Sequence, residues 1–481
     1  MTDIKDDPVT GDRIPDLIKI GAIPAQYGQS LRSDIIDSTT ISQNRVRFTL
    51  QRVGGFLHSN SKITLGVIPK TSTTAFYPLN IGVSNLIQKA ELLIGNQTIC
   101  SIDDYSHFSQ YQSQFITNEN NKEREQFLSQ RCINNAPVYD EGTDARTPNQ
   151  ASKIGLDVGR NPTVDETEAA TAGTFRLLPF QLHDSTSAQS IAEAPVYSVY
   201  LSDLLPMLKF NQLPCQLIDQ DIFIDITFTP QVSSLGGAGF SRRMCVANSD
   251  AANNTVAYDI NTDEVKLIYD SISYEPEVMQ KYAEQNTELS FQFMDYRLAK
   301  RTGPQTAFSN LTFPIGGNGR LVSKVIFGLQ SNENFTPVSL LNGITGKDNA
   351  VAQNLAINLL YNDLFEFNTD RNNQALIFHT TQHAEGMVPM VSKDQWQTSG
   401  VSSLTTGTFE GHAQNSGAVG LGGLFKWAAI KPNKGQRVNN KGMDLVYKNA
   451  GLPAQTYTLR VYLEMLKVMT IKDGKVNCYF A

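Results

Sequence analysis

Sulfur, indole and imidazole are all scarce in this chain: it has five cysteines, two tryptophans and six histidines among 481 residues. Cys100, Cys132, Cys215, Cys245 and Cys478 are odd in number and widely spaced, with no CxxC and no His/Cys pairing at zinc spacing. They read as reduced thiols in a protein assembled inside cells. No apolar run approaches the roughly 18 residues that a spanning helix needs. The opening MTDIKDDP has neither a positive n-region nor an apolar h-region, so a chain made in the cell interior and not secreted is expected. The sequons at Asn96, Asn253, Asn310 and Asn334 are then expected to be chance. Basic charge is lacking too. A net charge of −7 and a pI near 5.5 argue against a dominant phosphate-binding face, so no specific nucleic acid is expected as a partner.

Catalytic and ligand motifs are missing as well. His379 and His383 have the i, i+4 spacing of a helical zinc pair, but no glutamate follows the first histidine. Thr380-Thr381 between them favours strand, where positions four apart lie roughly 13 Å from each other, so a surface histidine pair is the expectation. Gly343-Ile-Thr-Gly346-Lys347-Asp348 has the wrong spacing for a phosphate loop and an aspartate where a magnesium-binding hydroxyl belongs. Gly316-Gly317-Asn318-Gly319 precedes a strand pattern and reads as a turn. Asp219, Asp221 and Asp225 read as carboxylates on the wet face of an amphipathic strand rather than as calcium ligands. There is no G-x-S-x-G elbow. The expectation is therefore no catalytic, cofactor-binding or metal-binding residues, no cofactor, and no enzyme.

What the chain does have is alternation. Apolar content of 40% suffices for folded domains, and 481 residues exceed what one core holds, which sets a prior of two or three domains. The most informative stretch is Ala194 to Pro230. Val196 to Tyr200 is β-branched and aromatic. Ser202 or Asp203 then offers a cap to a short turn carrying Leu204, Leu205, Met207 and Leu208, and Leu213-Pro214 ends it. Ile218, Ile222, Ile224, Ile226 and Phe228 face one way, and Asp219, Asp221, Asp225 and Thr227 the other.

The remainder follows the same pattern. Residues 1–43 mix both charges with Pro8, Pro15 and Pro24 and read as an arm, packed locally or reaching a neighbour. Val46, Phe48 and Leu50 alternate with polar residues, as do Ile63, Leu65 and Val67, and Gly95-Asn96 marks a hairpin between two further strands. Residues 102–116 suit a helix with Phe108, Tyr111 and Phe115 on one side. Residues 118–173 and 231–262 are polar and loop-like, and a strand signal lies at Thr174 to Leu182. Val265, Leu267 and Tyr269 form a strand, Pro276 and Glu277 open a helix, and Leu289 to Phe293 is a strand again. In 319–330, Leu321, Val325, Phe327 and Leu329 share a side; further strands are predicted at 355–367 and 374–381, then loop over 384–440. The close is a long strand with Tyr457, Leu459, Val461, Leu463 and Met465 on one face, Thr458, Arg460, Tyr462 and Glu464 on the other, and a turn at Asp473-Gly474.

Four of these stretches together resemble one family. They are the Leu-rich turn, Leu-Pro step and I-x-I-T-F strand of 194–230, the strand–helix–strand connector of 264–293, the strand GRLVSKVIFGLQ, and the terminal strand with its Gly turn. Their order resembles the double jelly-roll major capsid proteins of DNA viruses, with closest likeness to Polinton-like virus and virophage members. The resemblance implies an all-β fold of two tandem eight-stranded antiparallel jelly rolls with short helices and long inter-strand loops. The expected division is an arm at 1–43, jelly roll 1 at 44–275 with loop insertions at 118–173 and 231–262, a linker helix at 276–286, and jelly roll 2 at 287–481 with loops at 331–356 and 384–440. It further implies a virion capsid subunit that trimerises into pseudo-hexagonal capsomers tiling an icosahedral shell, with itself, neighbouring capsomers, and penton and minor capsid proteins as partners. The alternative is a β-sandwich carbohydrate-binding module or enzyme. It requires an aromatic platform, for which Trp396 and Trp427 are the tryptophans available, or a carboxylate pair, and usually a secretion signal.

Overall fold

The computed structural model describes residues 29–50, 55–69, 75–76, 82–109, 128–129, 196–230, 244–246, 255–256, 258–302, 308–331, 356–361, 364–368, 374–385, 428–432, 437–452 and 457–481. Among the described residues, sixteen principal strands, eight in each half, carry the fold. The first half holds β1 (Gln29–Ile36), β2 (Arg45–Leu50), β3 (Lys62–Leu65), β4 (Ile87–Ile94), β5 (Gln97–Asp103), β6 (Tyr197–Tyr200), β7 (Ile222–Phe228) and β8 (Leu267–Tyr274). The second holds β9 (Glu288–Thr302), β10 (Phe308–Gly316), β11 (Val322–Ser331), β12 (Ala356–Tyr361), β13 (Leu364–Asn368), β14 (Ala428–Ile430), β15 (Met443–Leu452) and β16 (Tyr457–Lys472), followed by β17 (Lys475–Phe480). Among the described residues, the named helices are α1 (Leu201–Leu204), α2 (Pro206–Phe210), α3 (Pro276–Gln285) and α4 (Gln374–Glu385), beside a helical turn at 105–109. None of the described helices is long and apolar enough to cross a membrane.

Pairing order shows a duplication that residue identity hides. The principal strands of the first half form one sheet in the order β1-β8-β3-β6 and another in the order β2-β7-β4-β5. The second half repeats this as β9-β16-β11-β14 and β10-β15-β12-β13. All pairings are antiparallel, and a first strand beside an eighth, a second beside a seventh, is the Greek-key connectivity of a jelly roll. The fold is thus all-β, a double jelly roll. Each sandwich closes on the apolar side of its alternating strands. In the first, Phe48 and Leu92 both oppose Ile224 across β7 and all three are fully buried, as are Ile63, Leu267 and Tyr269 of the other sheet. In the second, Leu445 lies between Phe313 and Leu359, with Val325, Phe327, Val461 and Leu463 buried opposite.

Turn chemistry follows the sequence closely. Gly95 takes φ +57 at the first corner of the two-residue loop joining β4 to β5. Asp473 and Gly474 both take positive φ between β16 and β17, as a tight hairpin with a right-handed twist requires. Gly316, Gly317 and Gly319 form a turn into β11, and Pro276 opens α3 in its first turn with Glu277 beside it.

Several expectations need correcting. Of the expected arm, residues 1–28 lie outside the described residues, and the rest follows the locally packed course left open above: it contributes β1, the edge strand of the first sheet, paired with β8 over its whole length, and Thr40–Ile41 adds to the edge of β2. The stretch 374–381, predicted as strand, lies in helix α4. Of the predicted helix at 102–116, residues 102–103 instead complete β5, 105–109 are helical, and 110–116 lie outside the described residues. Neither Ser202 nor Asp203 caps the turn after β6; both lie inside α1, whose N-cap is Tyr200 without a side-chain bond. Leu321 precedes β11, and an irregularity between Val322 and Lys324 shifts its parity away from Val325. Short strands at Met244–Val246, Thr255–Val256 and Tyr258–Ile260 interrupt the predicted loop of 231–262. The signal at Thr174 to Leu182 and nearly all of 118–173 lie outside the described residues.

Candidate functional site: the seam between the two sandwiches

The second sandwich buries both faces of its first sheet. One face is its own core; the other receives the first sandwich. The delivering element is the end of β5, where Asp104 at φ +55 swings the chain out of the strand and into the helical turn at 105–109. The receiving residues share one side of β9 and β16, because Tyr296 pairs with Glu464 and Leu298 with Tyr462. Arg460 Nε donates to the Asp104 carboxylate at 2.6 Å, and the Tyr462 hydroxyl donates to the Asp104 carbonyl at 2.9 Å. His107 Nδ1 lies 3.4 Å from the same carboxylate and is fully buried. The Phe108 ring packs against Tyr296 at 4.5 Å and Tyr462 at 5.3 Å between centroids.

Further along, a second set of polar groups completes the joint. Asp295 accepts from Lys467 Nζ at 3.0 Å and from the Ser101 backbone N–H at 3.3 Å. Glu464 accepts from the Tyr296 hydroxyl at 2.7 Å and the Ser323 hydroxyl at 2.6 Å, and lies 3.2 Å from Lys324 Nζ. Backbone latches cross the seam at its edge: Asp219 N–H donates to the Gly474 carbonyl at 2.8 Å, Val476 N–H to the Gln220 side chain at 2.9 Å, and Gln97 to the Cys478 carbonyl at 2.7 Å. Buried polar groups cost stability unless they are bonded, so the contacts that cross the seam, Ser101 to Asp295 and the latches at Asp219, Gln220 and Gln97, hold the two halves in one register, while the Lys467 and Glu464 bonds order the receiving face.

The electrostatics differ between the two seam carboxylates. Burial pushes Asp295 up, and the pull of Lys467 and the amides of Ser101 and Tyr296 does not fully offset it, so its carboxyl sits above the usual range. Burial also pushes Glu464 up, but Lys324, Ser323 and Tyr296 outweigh it and hold that carboxyl below the usual range. Burial raises Cys215 and Cys478 to about 11 and Cys100 further still, which disfavours the thiolate a cysteine nucleophile requires. These three cysteines are free thiols.

Of the residues singled out by sequence, only His379 and His383 are brought together: the strand spacing expected for them does not hold, because they lie one turn apart on a helix. His379 and His383 stand on the outer side of α4, whose inner side anchors through Thr381, the acceptor of the Ala429 N–H at 3.2 Å. Asp219 and Asp221 are exposed, Asp219 at the seam edge and Asp221 with its carbonyl bonded by Gly95. Asp225 is not on a wet face. It is 1% exposed, with Arg47 clamping it through two bonds of 2.7 Å and Arg45 donating beside it. Among the described residues no group of three or more His, Cys, Asp and Glu is placed to hold a metal. Gly343 to Asp348, Trp396 and Trp427 lie outside the described residues. The seam itself was missed by sequence reading, which set Arg460, Tyr462 and Glu464 on the second face of the strand and gave that face no partner.

Comparison with known proteins adds sequence and fold relationships. Residues 30–158 match the family described as major capsid protein N-terminus. No curated protein matches in sequence. A PBCV-1 virus capsid structure matches with a TM-score of 0.52 at 10% identity, covering 96% of this chain and 98% of that one. A structure of the Sputnik virophage matches with a TM-score of 0.50 at 12% identity, covering 98% and 93%. Residues 30–158 therefore match the N-terminal part of the major capsid protein family, and the chain as a whole has the double jelly-roll fold of the PBCV-1 and Sputnik capsid proteins.

Proposed function

We propose that this chain is a major capsid protein, a structural subunit that trimerises into pseudo-hexagonal capsomers and tiles an icosahedral DNA-virus shell. The observation that carries the reading is the repeated strand order, with each half forming the same two sheets and the halves locked in one register by the seam. Two like units per chain and three chains make a ring of six similar positions, the geometry a hexagonal lattice needs. The family match over residues 30–158 and the fold shared along the chain support the same reading. On this proposal a linker near 276–286 separates the two jelly rolls, the longer loops supply the outer surface, and the partners are further copies together with penton and minor capsid proteins. The chain is then made in the host cell interior and acts in the virion without catalysis. Its net charge of −7 leaves genome neutralisation to other, basic proteins. Light scattering coupled to size exclusion, followed by negative-stain imaging, tests this. Masses of three chains and hexagonal particles or closed shells are expected; a monodisperse single chain at every concentration would overturn it.

A further inference from the structure

Two cysteines flank the seam from opposite sides. Cys100 stands on β5 of the first sandwich and Cys478 on β17 of the second, and these two strands pack against each other. The Cys478 thiol donates to the Ile99 carbonyl at 3.8 Å, and the Gln97 side chain donates to the Cys478 carbonyl at 2.7 Å. The Ile99 carbonyl carbon is bonded to the Cys100 nitrogen, so backbone dimensions place the Cys478 sulfur within about 7 Å of the Cys100 Cα. The pairing of β4 with β5 slips here: Leu92 opposes Cys100 and Leu93 opposes Thr98, which leaves Ile99 as the extra residue of a bulge. Ile99 and Cys100 are both fully buried, while Cys478 is half-buried and is the sulfur that a small reagent meets first. The two thiols share one electrostatic setting. Asp295 and Lys467 act on both, and Cys478 acts on Cys100. Cys215 is placed differently, enclosed in the first core with the Tyr269 hydroxyl 3.8 Å from its sulfur.

We infer that Cys100 and Cys478 form a redox latch across the seam, open as two thiols in a reducing compartment and closed as a disulfide in an oxidising one. The oxidant is a small disulfide of the glutathione class. Cys478 loses its proton and attacks that disulfide, giving a mixed disulfide and one small thiolate, which takes up a proton. Cys100 then loses its proton and attacks the Cys478 sulfur, forming the Cys100–Cys478 bond and releasing the second small thiol. Two protein thiols give up two electrons, and one small disulfide is reduced to two thiols. Closure exchanges a weak thiol–carbonyl bond for a covalent one, as side-chain rotation carries the Cys478 sulfur from the Ile99 oxygen to the Cys100 sulfur. Burial holds both thiols protonated, Cys478 up to about 11 and Cys100 higher, so closure is slow near neutral pH and quickens as pH rises. A link between such distant positions restricts the unfolded chain and ties the two sandwiches together by a bond that the seam otherwise lacks.

The latch lies within one chain, so its failure and that of the proposed assembly are read separately. Full chain purified under reductant is divided, one part kept in dithiothreitol and the other incubated with glutathione disulfide at mildly alkaline pH. Both are then alkylated under denaturing conditions, digested and analysed by mass spectrometry. The oxidised sample should yield a peptide pair joined through Cys100 and Cys478, with Cys132, Cys215 and Cys245 still alkylated. Its melting temperature should rise by a few degrees and return on reduction. Cys478→Ser keeps a donor for the Ile99 carbonyl; it should lose the joined pair and melt at the same temperature in both conditions. Alkylation of both Cys100 and Cys478 in the oxidised parent overturns the latch. So does Cys478 that carries only the glutathione adduct or is joined to a cysteine of another chain. A melting temperature that responds to oxidant equally in the parent and in Cys478→Ser overturns it as well.

Discussion

At the scale of single residues, Asp225 shows how an alternating strand buries a charge. It stands in the middle of β7, flanked by β2, and Arg45 and Arg47 on β2 reach it from adjacent register positions. Burial pushes its carboxyl up, but the bonds from Arg47 and Arg45 outweigh this and hold the acid below its ordinary value of 3.8. A depressed folded value stabilises the fold at pH above 3.8 and ceases to do so as pH falls through the lower folded value. Asp225→Asn should therefore lower stability by about 2 kcal/mol near neutral pH, the scale of a hydrogen bond to a charged group. The deficit relative to the parent should shrink once the pH drops below 3.8. Chemical denaturation of both proteins across that range measures it.

At the scale of elements, close backbone approach decides where the chain can turn. Gly55 introduces the short strand Phe56–Leu57 against β8 and takes φ +117, where a Cβ would lie 2.4 Å from the Ile272 carbonyl oxygen. The neighbour is backbone and cannot swing aside. Gly55→Ala should cost more than about 1 kcal/mol, read as a lower urea midpoint with an unchanged denaturant slope. Helix α4 makes the complementary point. Thr380-Thr381 favours strand locally, yet the segment is helical, because Thr381 is fully buried and bonded to Ala429 on β14. Local propensity is a weak prior against such tertiary contacts.

At the scale of the whole molecule, the seam makes the two sandwiches one body. Arg460 and Asp104 are both buried, so removing the guanidinium leaves a carboxylate away from water with its principal counter-charge gone. Truncating one partner of a buried pair costs about 3–5 kcal/mol. Arg460→Ala should lower the first melting transition and separate the two halves into distinct transitions in scanning calorimetry, whereas the parent melts as one unit. The same rigidity bears on assembly, since a fixed angle between the halves sets the direction in which the next copy is presented.

Sequence by itself determined the class of fold and much of its punctuation. Period-two alternation in 45–50, 222–228 and 457–465 gives strands with a buried side, and Gly95-Asn96, Asp473-Gly474 and Pro276 mark where they turn or link. Alternation reports one buried face per strand, and it does so through neighbours that are close in the chain. Tertiary structure alone decided what became of the other face. Alternation sets Arg460 and Tyr462 on the face away from the core, where polar residues usually meet water; they are buried because Asp104 and Phe108, more than 350 positions away for the Arg460 bond, supply the partners that make burial tolerable. The strand order and the helix at 374–385 were equally hidden, since each depends on contacts between segments whose separation no local pattern encodes.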